Sequence, residues 1–325
     1  MIPSSWTDLF LLENRLERSF FQDAVSGRIQ RVSQEDMPVL RDLLCALIQQ
    51  VTAEGRSRSR GTILGNVPVR IEGRMTVDGW VFVCRRFPTN PFTLQDLRLP
   101  PALEAALFHP QRLPHRLLLI TGRTGSGKST FAAAFVREWL SRFGGTGWTI
   151  ENPVENALQE IDYGEKAACF QVEVDHDDDF GAAIRDTLRS LPRLIMVGEL
   201  RNGESADHSP GARAALLAAS TGHLVVTTMH ANDPISALQR LVSLCGGEQF
   251  QSQVADALGA LLHLRLVVDL GSGKRRFDIQ PLILPNGENG DDVGSGIRQS
   301  IREGNVHLLA SELERQKLRF CGPSF

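Results

Sequence analysis

The sequence predicts an α/β protein with two domains, a smaller α+β domain followed by a larger domain built on a parallel sheet. Its 325 residues suit about two domains of roughly 100 to 200 residues each. From Leu117 onward, short apolar runs alternate with helical patterns, which is typical of a parallel sheet covered by helices. Before that point, two apolar runs around Asp78-Gly79 predict an antiparallel hairpin.

The composition and charge limit the class of protein. Hydrophobic residues make up 42% of the chain and charged residues 22%, so neither a disordered protein nor a fibre is indicated. The formal net charge of −3 gives no overall positive field, and we therefore expect no direct nucleic-acid binding. The five cysteines lie far apart, in an odd number and without a Cys-x-x-Cys pair, which disfavours disulfide frameworks and zinc ribbons.

The sequence predicts neither a membrane-spanning helix nor a signal peptide. No apolar run approaches the roughly 18 residues that a membrane-spanning helix needs. The first twenty residues place acidic side chains where a signal peptide requires an apolar core. We therefore expect a cytoplasmic protein without an integral membrane span.

Residues 1 to about 105 are predicted to form the α+β domain. A helix is predicted near Met37 to Val51, and the GRSRSRG segment after it is predicted to be an exposed connection because of its charge and glycine flanks. Runs rich in Val, Ile, Trp and Phe then flank Asp78-Gly79, which predicts a β-hairpin. The arginines from Arg70 to Arg86 are therefore expected on this hairpin.

Prolines between residues 88 and 114 predict an extended linker, because proline interrupts helices. We place the domain boundary in this linker and the second domain at 115–325. Its predicted strands are Leu117–Ile120, Trp148–Ile150, Leu194–Val197 and Leu224–Thr228. Helical spacing occurs at Phe180, Ile184 and Leu188 and again at Ile235, Leu238 and Val242.

Three further segments of the second domain carry weaker signals. The acidic run Asp175 to Asp179 lacks the glycine and distal glutamate of a calcium loop, so it predicts a solvated turn before a helix. Near the end of the chain, LRLVVDLGSGKRRFDIQPLIL predicts a second hairpin. The segment PNGENGDDVGSG after it predicts a loop.

A phosphate-binding motif follows the first predicted strand of the second domain. Residues 122–129, GRTGSGKS, match G-x-x-x-x-G-K-[ST] between that strand and the helix-like TFAAAFVREWL. Such a loop directs successive backbone N–H groups at phosphate oxygens, and the helix N-terminus adds partial positive charge. The predicted nucleotide-binding residues are Gly122, Arg123, Thr124, Gly125, Ser126, Gly127, Lys128, Ser129 and Thr130.

Two of these residues have specific predicted roles. Lys128 is expected to reach the β- and γ-phosphates, and Ser129 is expected to ligate Mg²⁺. ATP is favoured over GTP because the chain shows no convincing N-K-x-D guanine-recognition motif. A glycine-rich turn that holds no nucleotide is the alternative, but a chance match in a chain of this length is on the order of one in a hundred.

The run LIMVGE, Leu194 to Glu199, is an apolar strand that ends in an acid and resembles a Walker B element. Any buried strand can end in a solvated glutamate. The phosphate-binding motif upstream favours the functional interpretation. Glu199 is therefore predicted to lie near Mg²⁺ or near the attacking water.

Two more segments carry a family resemblance. TIENPVE, Thr149 to Glu155, and TGHLVVTTMH, Thr221 to His230, resemble in order the Asp box and the His box of the type II/IV secretion ATPases. This superfamily contains the PilT, GspE and VirB-type motors. Arg70 and Arg85 keep a 15-residue separation that is similar to a PilT pattern. The resemblance covers roughly residues 40 to 302.

The resemblance implies a RecA-like P-loop ATPase domain preceded by a PAS-like α+β domain, in a homohexamer that uses ATP and Mg²⁺. It implies that Arg70 and Arg85 reach the nucleotide held by the second domain, where a guanidinium can neutralise charge on the γ-phosphate. A solvated hairpin face is the alternative for both arginines. The linker at 88–114 is then the expected hinge between the domains.

The catalytic roles rest on two glutamates and two histidines. Glu155 is the first choice for orienting or deprotonating the attacking water and Glu199 is the alternative, while either could instead be an outer partner of Mg²⁺. The resemblance implies that His230 senses the γ-phosphate. It also places His223 among the nucleotide-binding residues, with a contact to a neighbouring segment or subunit. A buried structural histidine is the alternative for each.

The chain departs from the family pattern at three positions. Asn152 and Asn202 replace the usual aspartates, and Asp78 stands where PilT-like chains often carry an arginine. Each change removes or reverses a charge. We still expect activity because Glu155 and Glu199 are present, although the residues directed at Mg²⁺ become less well defined.

One absent module and one similar segment limit the resemblance to a single branch of the family. The tetracysteine module of GspE-type motors is missing, and GIRQSIRE at 296–303 is similar to a PilT helix. The resemblance is therefore closest to PilT, DotB and TraJ. It implies a motor for type IVB secretion or conjugative transfer, peripherally associated with the inner membrane through coupling components. A PilT-like pilus-retraction motor is the alternative, and a DNA translocase is disfavoured by the acidic net charge.

Overall fold

The computed structural model describes residues 6–23, 27–54, 58–64, 67–86, 91–109, 116–203, 208–268, 275–284 and 292–322. Residue contacts divide the chain into two compact units, Met1–Thr89 and Asn90–Phe325. The division falls within the range predicted for the linker. Residues 91–109 belong to the second unit, although the prediction carried the first domain to about residue 105.

In the part of the chain that is described, the first unit is a six-stranded antiparallel sheet in the order β3-β2-β1-β6-β5-β4 with one long helix. Its elements are β1 (Trp6–Leu12), β2 (Phe20–Asp23), β3 (Ile29–Arg31), α1 (Met37–Glu54), β4 (Arg58–Ile63), β5 (Val67–Thr76) and β6 (Gly79–Arg86). Helix α1 buries Leu40, Leu44 and Leu47 in the same cluster as the sheet residue Phe82, as helical spacing requires. The predicted helix and the hairpin around Asp78-Gly79 are confirmed.

The prediction for GRSRSRG is wrong over its second half. Residues from Arg58 onward form β4 and pair with β5, so that Arg60 lies opposite Arg70. The arginines of this segment recur at every second position, and that is the period of a strand with one polar face. The charge of the segment suggested a connection, but the period indicates an edge strand. Its first residues, 55–57, lie outside the described residues.

The second unit is built on a seven-stranded sheet in the order β13-β12-β7-β11-β10-β8-β9, counted over the described residues. All neighbours pair in parallel except β12 and β13, which pair antiparallel. Its elements are α2 (Leu94–Leu97), α3 (Pro101–Leu107), β7 (Leu117–Gly122), α4 (Lys128–Phe143), β8 (Gly145–Glu151), β9 (Ala167–Glu173), α5 (Phe180–Thr187), β10 (Leu194–Glu199), α6 (Pro210–Ser220), β11 (Leu224–His230), α7 (Pro234–Cys245), α8 (Gln251–Ala257), β12 (Leu258–Val268), β13 (Arg275–Ile283), α9 (Asp292–Arg302) and α10 (Ala310–Cys321).

The sequence of β7 is continuously apolar because this strand lies inside the sheet and is covered on both faces. All six of its residues are buried. Leu117 and Leu119 join one hydrophobic cluster, while Leu118 and Ile120 join another on the opposite face of the sheet. A parallel strand covered on both faces requires such a run. The carboxyl ends of the parallel strands therefore meet at one edge of the sheet, and this edge carries the candidate site.

Helices α2 and α3 explain the position of the unit boundary. Leu94, Leu97, Leu103 and Leu107 are buried in the same cluster as Phe131 of α4. The prolines of this segment indicated a linker. The leucines between them, however, pack into the core of the second unit.

The end of the chain agrees only in part with the predictions. The predicted second hairpin is confirmed, with Ala260 opposite Ile283 in the β12–β13 pair. The predicted loop PNGENGDDVGSG is wrong from Asp292 onward, because α9 begins there, and its earlier residues lie outside the described part of the chain. No helix within the described ranges is both long enough and apolar enough to cross a membrane.

Arg298 of α9 closes the carboxyl end of α8. Its Nη1 donates hydrogen bonds to the carbonyl oxygens of Ala255, Asp256 at 3.4 Å and Leu258 at 3.2 Å. Only 8% of this residue is exposed, and burial lowers the pKa of its guanidinium to about 10. A buried cation at a helix carboxyl end satisfies carbonyls that have no partner within the helix.

We expect Arg298→Met to lower the free energy of unfolding by about 1.5–3 kcal/mol, because the change removes a charged donor from buried carbonyls while keeping side-chain length. Urea denaturation measures this loss. The matched control is Arg302→Met, whose partly exposed side chain bonds Asp256 at 2.5 Å and for which about 1 kcal/mol or less is expected. Equal losses in the two variants would contradict the capping role.

Candidate functional site

The phosphate-binding motif lies where β7 passes into α4, as predicted. Strand β7 ends at Gly122 and α4 begins at Lys128. Gly127, between them, has φ +86°, and a Cβ there would lie 2.7 Å from Cε1 of Phe277 on β13. No side chain caps the first turn of α4. The N–H groups at this helix end are therefore available to an anion.

We expect Gly127→Ala to destabilise the protein more than Gly125→Ala. Both glycines have positive φ, which costs a non-glycine residue about 1–3 kcal/mol. A Cβ at Gly125 meets nothing within 4 Å, whereas a Cβ at Gly127 meets the Phe277 ring. The overlap should add about 1–3 kcal/mol to the loss at Gly127. Thermal or urea denaturation of both variants measures the difference. Equal losses of stability would show that the Phe277 ring moves aside at little cost in free energy.

Lys128 lies folded into the loop. Its Nζ donates hydrogen bonds to the carbonyl oxygens of Gly122 at 3.1 Å and Arg123 at 3.2 Å. Burial lowers the pKa of Lys128, and the nearby carboxylates of Glu199 and Glu155 oppose this effect. The lysine and the two predicted catalytic glutamates are therefore close enough to act on one another.

The hydroxyl groups around the loop fit a phosphate ligand. The Oγ of Ser126 is buried and has no hydrogen-bond partner among the described residues. Ser129 and Thr130 lie in the first turn of α4, where both are partly exposed. An unsatisfied buried hydroxyl next to uncapped backbone N–H groups provides donors for phosphate oxygens.

Glu199 is positioned by the end of β10. The pairing of β10 with β11 shifts between Val197 and Glu199, and the hydroxyl of Thr228 donates to the carbonyl oxygen of Gly198 at 3.1 Å. The carboxylate of Glu199 accepts two hydrogen bonds from Arg201, at 3.0 Å and 2.5 Å. Arg201 was not predicted, because this contact depends on how the chain leaves the strand.

Glu155 projects from a loop that is fixed on both sides. The N–H of Val154 donates to the Glu173 carboxylate at 3.0 Å, and the carbonyl oxygen of Asn156 accepts from Gln171 Nε2 at 2.9 Å. Val154 and Asn156 are buried, whereas Glu155 is exposed. The loop therefore presents the Glu155 carboxylate to solvent at the sheet edge that carries Lys128.

Glu151, at the end of β8, is a buried carboxylate that the sequence did not single out. Its Oε1 accepts hydrogen bonds from Thr149 Oγ1 at 2.6 Å and from Gln171 Nε2 at 3.0 Å. Gln171 thus joins Glu151 to Asn156 across the loop that carries Glu155. We interpret Glu151 as a support for this loop, since its oxygens are engaged in holding it.

His230 lies beside the P-loop. Its position in β11 pairs with Gly122 of β7. It also borders a polar cleft of 470 Å³ that runs along α7. The other polar residues of this cleft are Asn202, Asn232, Ser236, Gln239, Arg240 and Ser243. The predicted sensor position therefore faces open space at the carboxyl edge of the sheet.

A second histidine, His263, lines a cavity together with residues of the loop. His263 Nδ1 is 3.1 Å from Thr121 Oγ1, and the residue borders a 280 Å³ cavity with Arg123, Asn232 and Arg265. Burial lowers the pKa of His263, and the carboxylate of Asp233 opposes this effect. A hydrogen-bonded neutral imidazole is typical of a histidine with a structural role.

His223 does not lie at this site. It precedes β11, at the amino end of the strand, and its ring Nδ1 is 3.2 Å from the carbonyl oxygen of Ala218. The seven residues of β11 separate it from the P-loop edge by roughly 20 Å. A contact of His223 with a neighbouring subunit stays a prediction.

The hairpin arginines belong to the first unit. Arg70 of β5 lies directly opposite Arg85 of β6, and both border a groove of 330 Å³ on one face of the sheet. Arg85 Nε donates to Asp8 at 2.7 Å, and Arg70 lies 3.7 Å from Glu72. The two arginines are therefore neighbours across the hairpin.

The three residues that depart from the family pattern have local contacts. Asn152 donates from Nδ2 to the carbonyl oxygen of Asp175 at 3.2 Å. Asn202 borders the polar cleft beside His230. Asp78, in the turn of the hairpin, lies 3.3 Å from Arg15.

Comparison with known proteins identifies relatives of this chain. The family model described as type II/IV secretion system protein matches residues 56–309. The type IV pilus ATPase PilU of Pseudomonas aeruginosa is 32% identical over 237 residues, which cover 72% of this chain and 56% of PilU. The chain spans about half the length of the curated relatives that it matches.

Two solved structures resemble the fold over most of the chain. The ATPase DotB of Legionella pneumophila has a TM-score of 0.72 at 26% identity, covering 94% of this chain and 84% of DotB. The pilus retraction motor PilT with bound ADP has a TM-score of 0.73 at 26% identity, covering 95% of this chain and 86% of PilT. Both comparisons support the predicted fold, in which an antiparallel-sheet domain is followed along the chain by a parallel-sheet domain.

Proposed function

Because the chain belongs to the type II/IV secretion system protein family, we propose that it hydrolyses ATP and couples this reaction to mechanical work in a homohexameric ring. One observation carries the proposal. Lys128 lies in a P-loop at the edge of a parallel sheet, and the carboxylates of Glu155 and Glu199 act on its charge. A cation and two carboxylates near one another in this way support the proposal of a phosphate site with acidic groups beside it.

ATP would be held by the chain's own loop and helix. The backbone N–H groups of residues 123–129 and the Ser126 hydroxyl are suited to its phosphates, and Lys128 would exchange its loop carbonyls for phosphate oxygens. Ser129 and Glu199 are suited to Mg²⁺, which takes only one or two protein oxygens in such sites. Bound Mg²⁺ would neutralise phosphate charge.

The chain's carboxylates and histidine would orient the reaction. Glu155 is exposed on a fixed loop and is proposed to orient or deprotonate the attacking water. Glu199 would direct the cation, and His230 would sense the γ-phosphate from the end of β11. Arg70 and Arg85 are proposed to neutralise phosphate charge when the first unit moves relative to the second.

We propose that the ring drives type IVB secretion or conjugative plasmid transfer, bound peripherally to the cytoplasmic side of the inner membrane through coupling components. The similarity to DotB supports this assignment. A pilus-retraction motor is the second candidate, supported by the similarities to PilU and PilT. Gene neighbours and loss-of-function phenotypes separate the two, because plasmid or effector transfer fails in the first case and pilus retraction in the second.

The activity is tested on the purified protein with ATP and Mg²⁺. We expect hydrolysis that requires Mg²⁺, a hexamer by light scattering, and little change when DNA is added. Strong stimulation by DNA would favour a translocase over the proposed function. Absence of ATP binding would overturn the assignment altogether.

A further inference from the structure

Arg201 contacts Glu199 through a single carboxylate oxygen. Both Nε and Nη2 of Arg201 donate to Glu199 Oε2, at 3.0 Å and 2.5 Å. The Arg201 side chain is 53% exposed and that of Glu199 is 27% exposed. The guanidinium is therefore the more exposed partner of the pair, and the carboxylate is the more buried one. The same oxygen would be a natural ligand for a divalent cation.

The charge of Arg201 also acts on other groups of the site. Its hydrogen bonds to Glu199 raise the pKa of Arg201, and the carboxylates of Asp177 and Glu155 act in the same direction. Its positive charge in turn lowers the pKa of Lys128. Arg201 thus belongs to a cluster of two cations and three carboxylates at the phosphate-binding edge.

The two candidate catalytic carboxylates differ in their partners. Glu199 is held by Arg201, whereas Glu155 has no hydrogen bond or ion pair among the described residues. An oxygen with two charge-assisted bonds is less available to a metal ion or a water molecule. Glu155 therefore has fewer contacts than Glu199.

We propose that Arg201 is a positioning residue. Without nucleotide, it bonds the Glu199 carboxylate and keeps it from a divalent cation, and it releases this carboxylate when the nucleotide binds. This inference rests on the proposed function. Glu199 then becomes available to the divalent cation, and the guanidinium moves to the γ-phosphate. No covalent bond changes in this exchange, because one set of charge-assisted contacts replaces another.

The chemistry of arginine suits this exchange. A guanidinium forms paired hydrogen bonds with carboxylates and with phosphates in the same planar geometry. The bonds lost at Glu199 are therefore replaced by similar bonds at the γ-phosphate. ADP lacks this phosphate and offers no such replacement, so Arg201 should favour ATP over ADP.

The first measurement uses Mn²⁺ alone, titrated into the nucleotide-free protein and followed by electron paramagnetic resonance. We expect Arg201→Gln to bind Mn²⁺ about 10-fold more tightly, because the guanidinium no longer competes for Glu199. A residue that merely braced the fold would leave this affinity unchanged or weaken it. Arg201→Lys should give an intermediate affinity, since it keeps the charge without the paired donors.

The second measurement compares fluorescent analogues of ATP and ADP with the same variants. Arg201→Gln should lose about 10-fold in affinity for the ATP analogue and little for the ADP analogue. The control is Arg189→Gln, which removes an exposed arginine paired with Asp186 at 3.3 Å. It should change neither nucleotide affinity nor Mn²⁺ affinity.

The outcomes separate this proposal from the proposed function. An unchanged Mn²⁺ affinity, or equal changes for ATP and ADP, would overturn the role of Arg201 while leaving ATP binding intact. Failure of the unmodified protein to bind either nucleotide would instead reject the ATPase assignment, and the proposal with it. Circular dichroism of each variant confirms that folding is retained.

Discussion

Replacing Lys128 by alanine is expected to lower the rate of ATP hydrolysis by about 10²–10³-fold, since the change removes a fixed positive charge from the phosphate site. In the structure, the ammonium group already lies within the loop, bonded to the carbonyl oxygens of Gly122 and Arg123. Its partial burial means that solvent screens its charge less than that of a fully exposed lysine. The charge is therefore expected to act strongly on a phosphate bound there.

Steady-state hydrolysis and binding of a fluorescent ATP analogue measure this effect. The matched control is Lys166→Ala, which removes an exposed lysine of the same unit immediately before β9. The control should keep the activity of the unmodified protein. If Lys128→Ala also retained most of its activity, the P-loop would not be the phosphate site.

Glu155→Gln is expected to lower kcat by about 10²–10⁴-fold, as loss of a general base does, with little change in nucleotide affinity. The amide keeps the shape of the side chain but cannot accept a proton from water. Glu199→Gln should also slow hydrolysis. It should in addition raise the Mg²⁺ concentration needed for half-maximal rate, because we assign this residue to the cation.

Hydrolysis measured over a range of Mg²⁺ concentrations distinguishes the two glutamates. Glu160→Gln is the matched control, since Glu160 is an exposed glutamate that follows the same loop. It should have no effect. If Glu155→Gln kept full turnover while Glu199→Gln lost it, the role of general base would pass to Glu199.

The sequence predicted those parts of the fold whose signals are local. The strand at Leu117 could be predicted because a strand buried on both faces must be apolar throughout. The observed strand extends to Gly122, two residues beyond the prediction. The motif at 122–129 could be found because its glycines and lysine are fixed by local backbone geometry.

The missed strands have less regular sequences. In β1, Asp8 is buried and pairs with Arg85 of the distant strand β6. A charged residue at a buried position interrupts the alternation of apolar and polar residues that indicates a strand. The ion-pair partner that stabilises the buried charge lies far away in the sequence. β9 was missed similarly, because its Gln171 is satisfied by Glu151 and by Asn156 of the preceding loop.

The sequence predicted only those residues of the site that belong to the family motifs. Glu199 and His230 end β10 and β11, and Glu155 lies in the loop after β8. The contact of Arg201 with Glu199 and the support of the loop by Glu151 could not be predicted. Both depend on side-chain directions that only the folded chain defines.

The position of Phe277 over Gly127 has a consequence for synthesis of the protein on the ribosome. The loop is translated before β13, the strand that carries the ring lying next to its glycine. Roughly 150 residues separate the two, and at 5–20 residues per second their translation takes on the order of ten seconds or more. A nascent chain that has already made the whole motif therefore still lacks part of its packing. The ability to hold nucleotide should accordingly arise late in translation, after the carboxyl-terminal strands have left the ribosome.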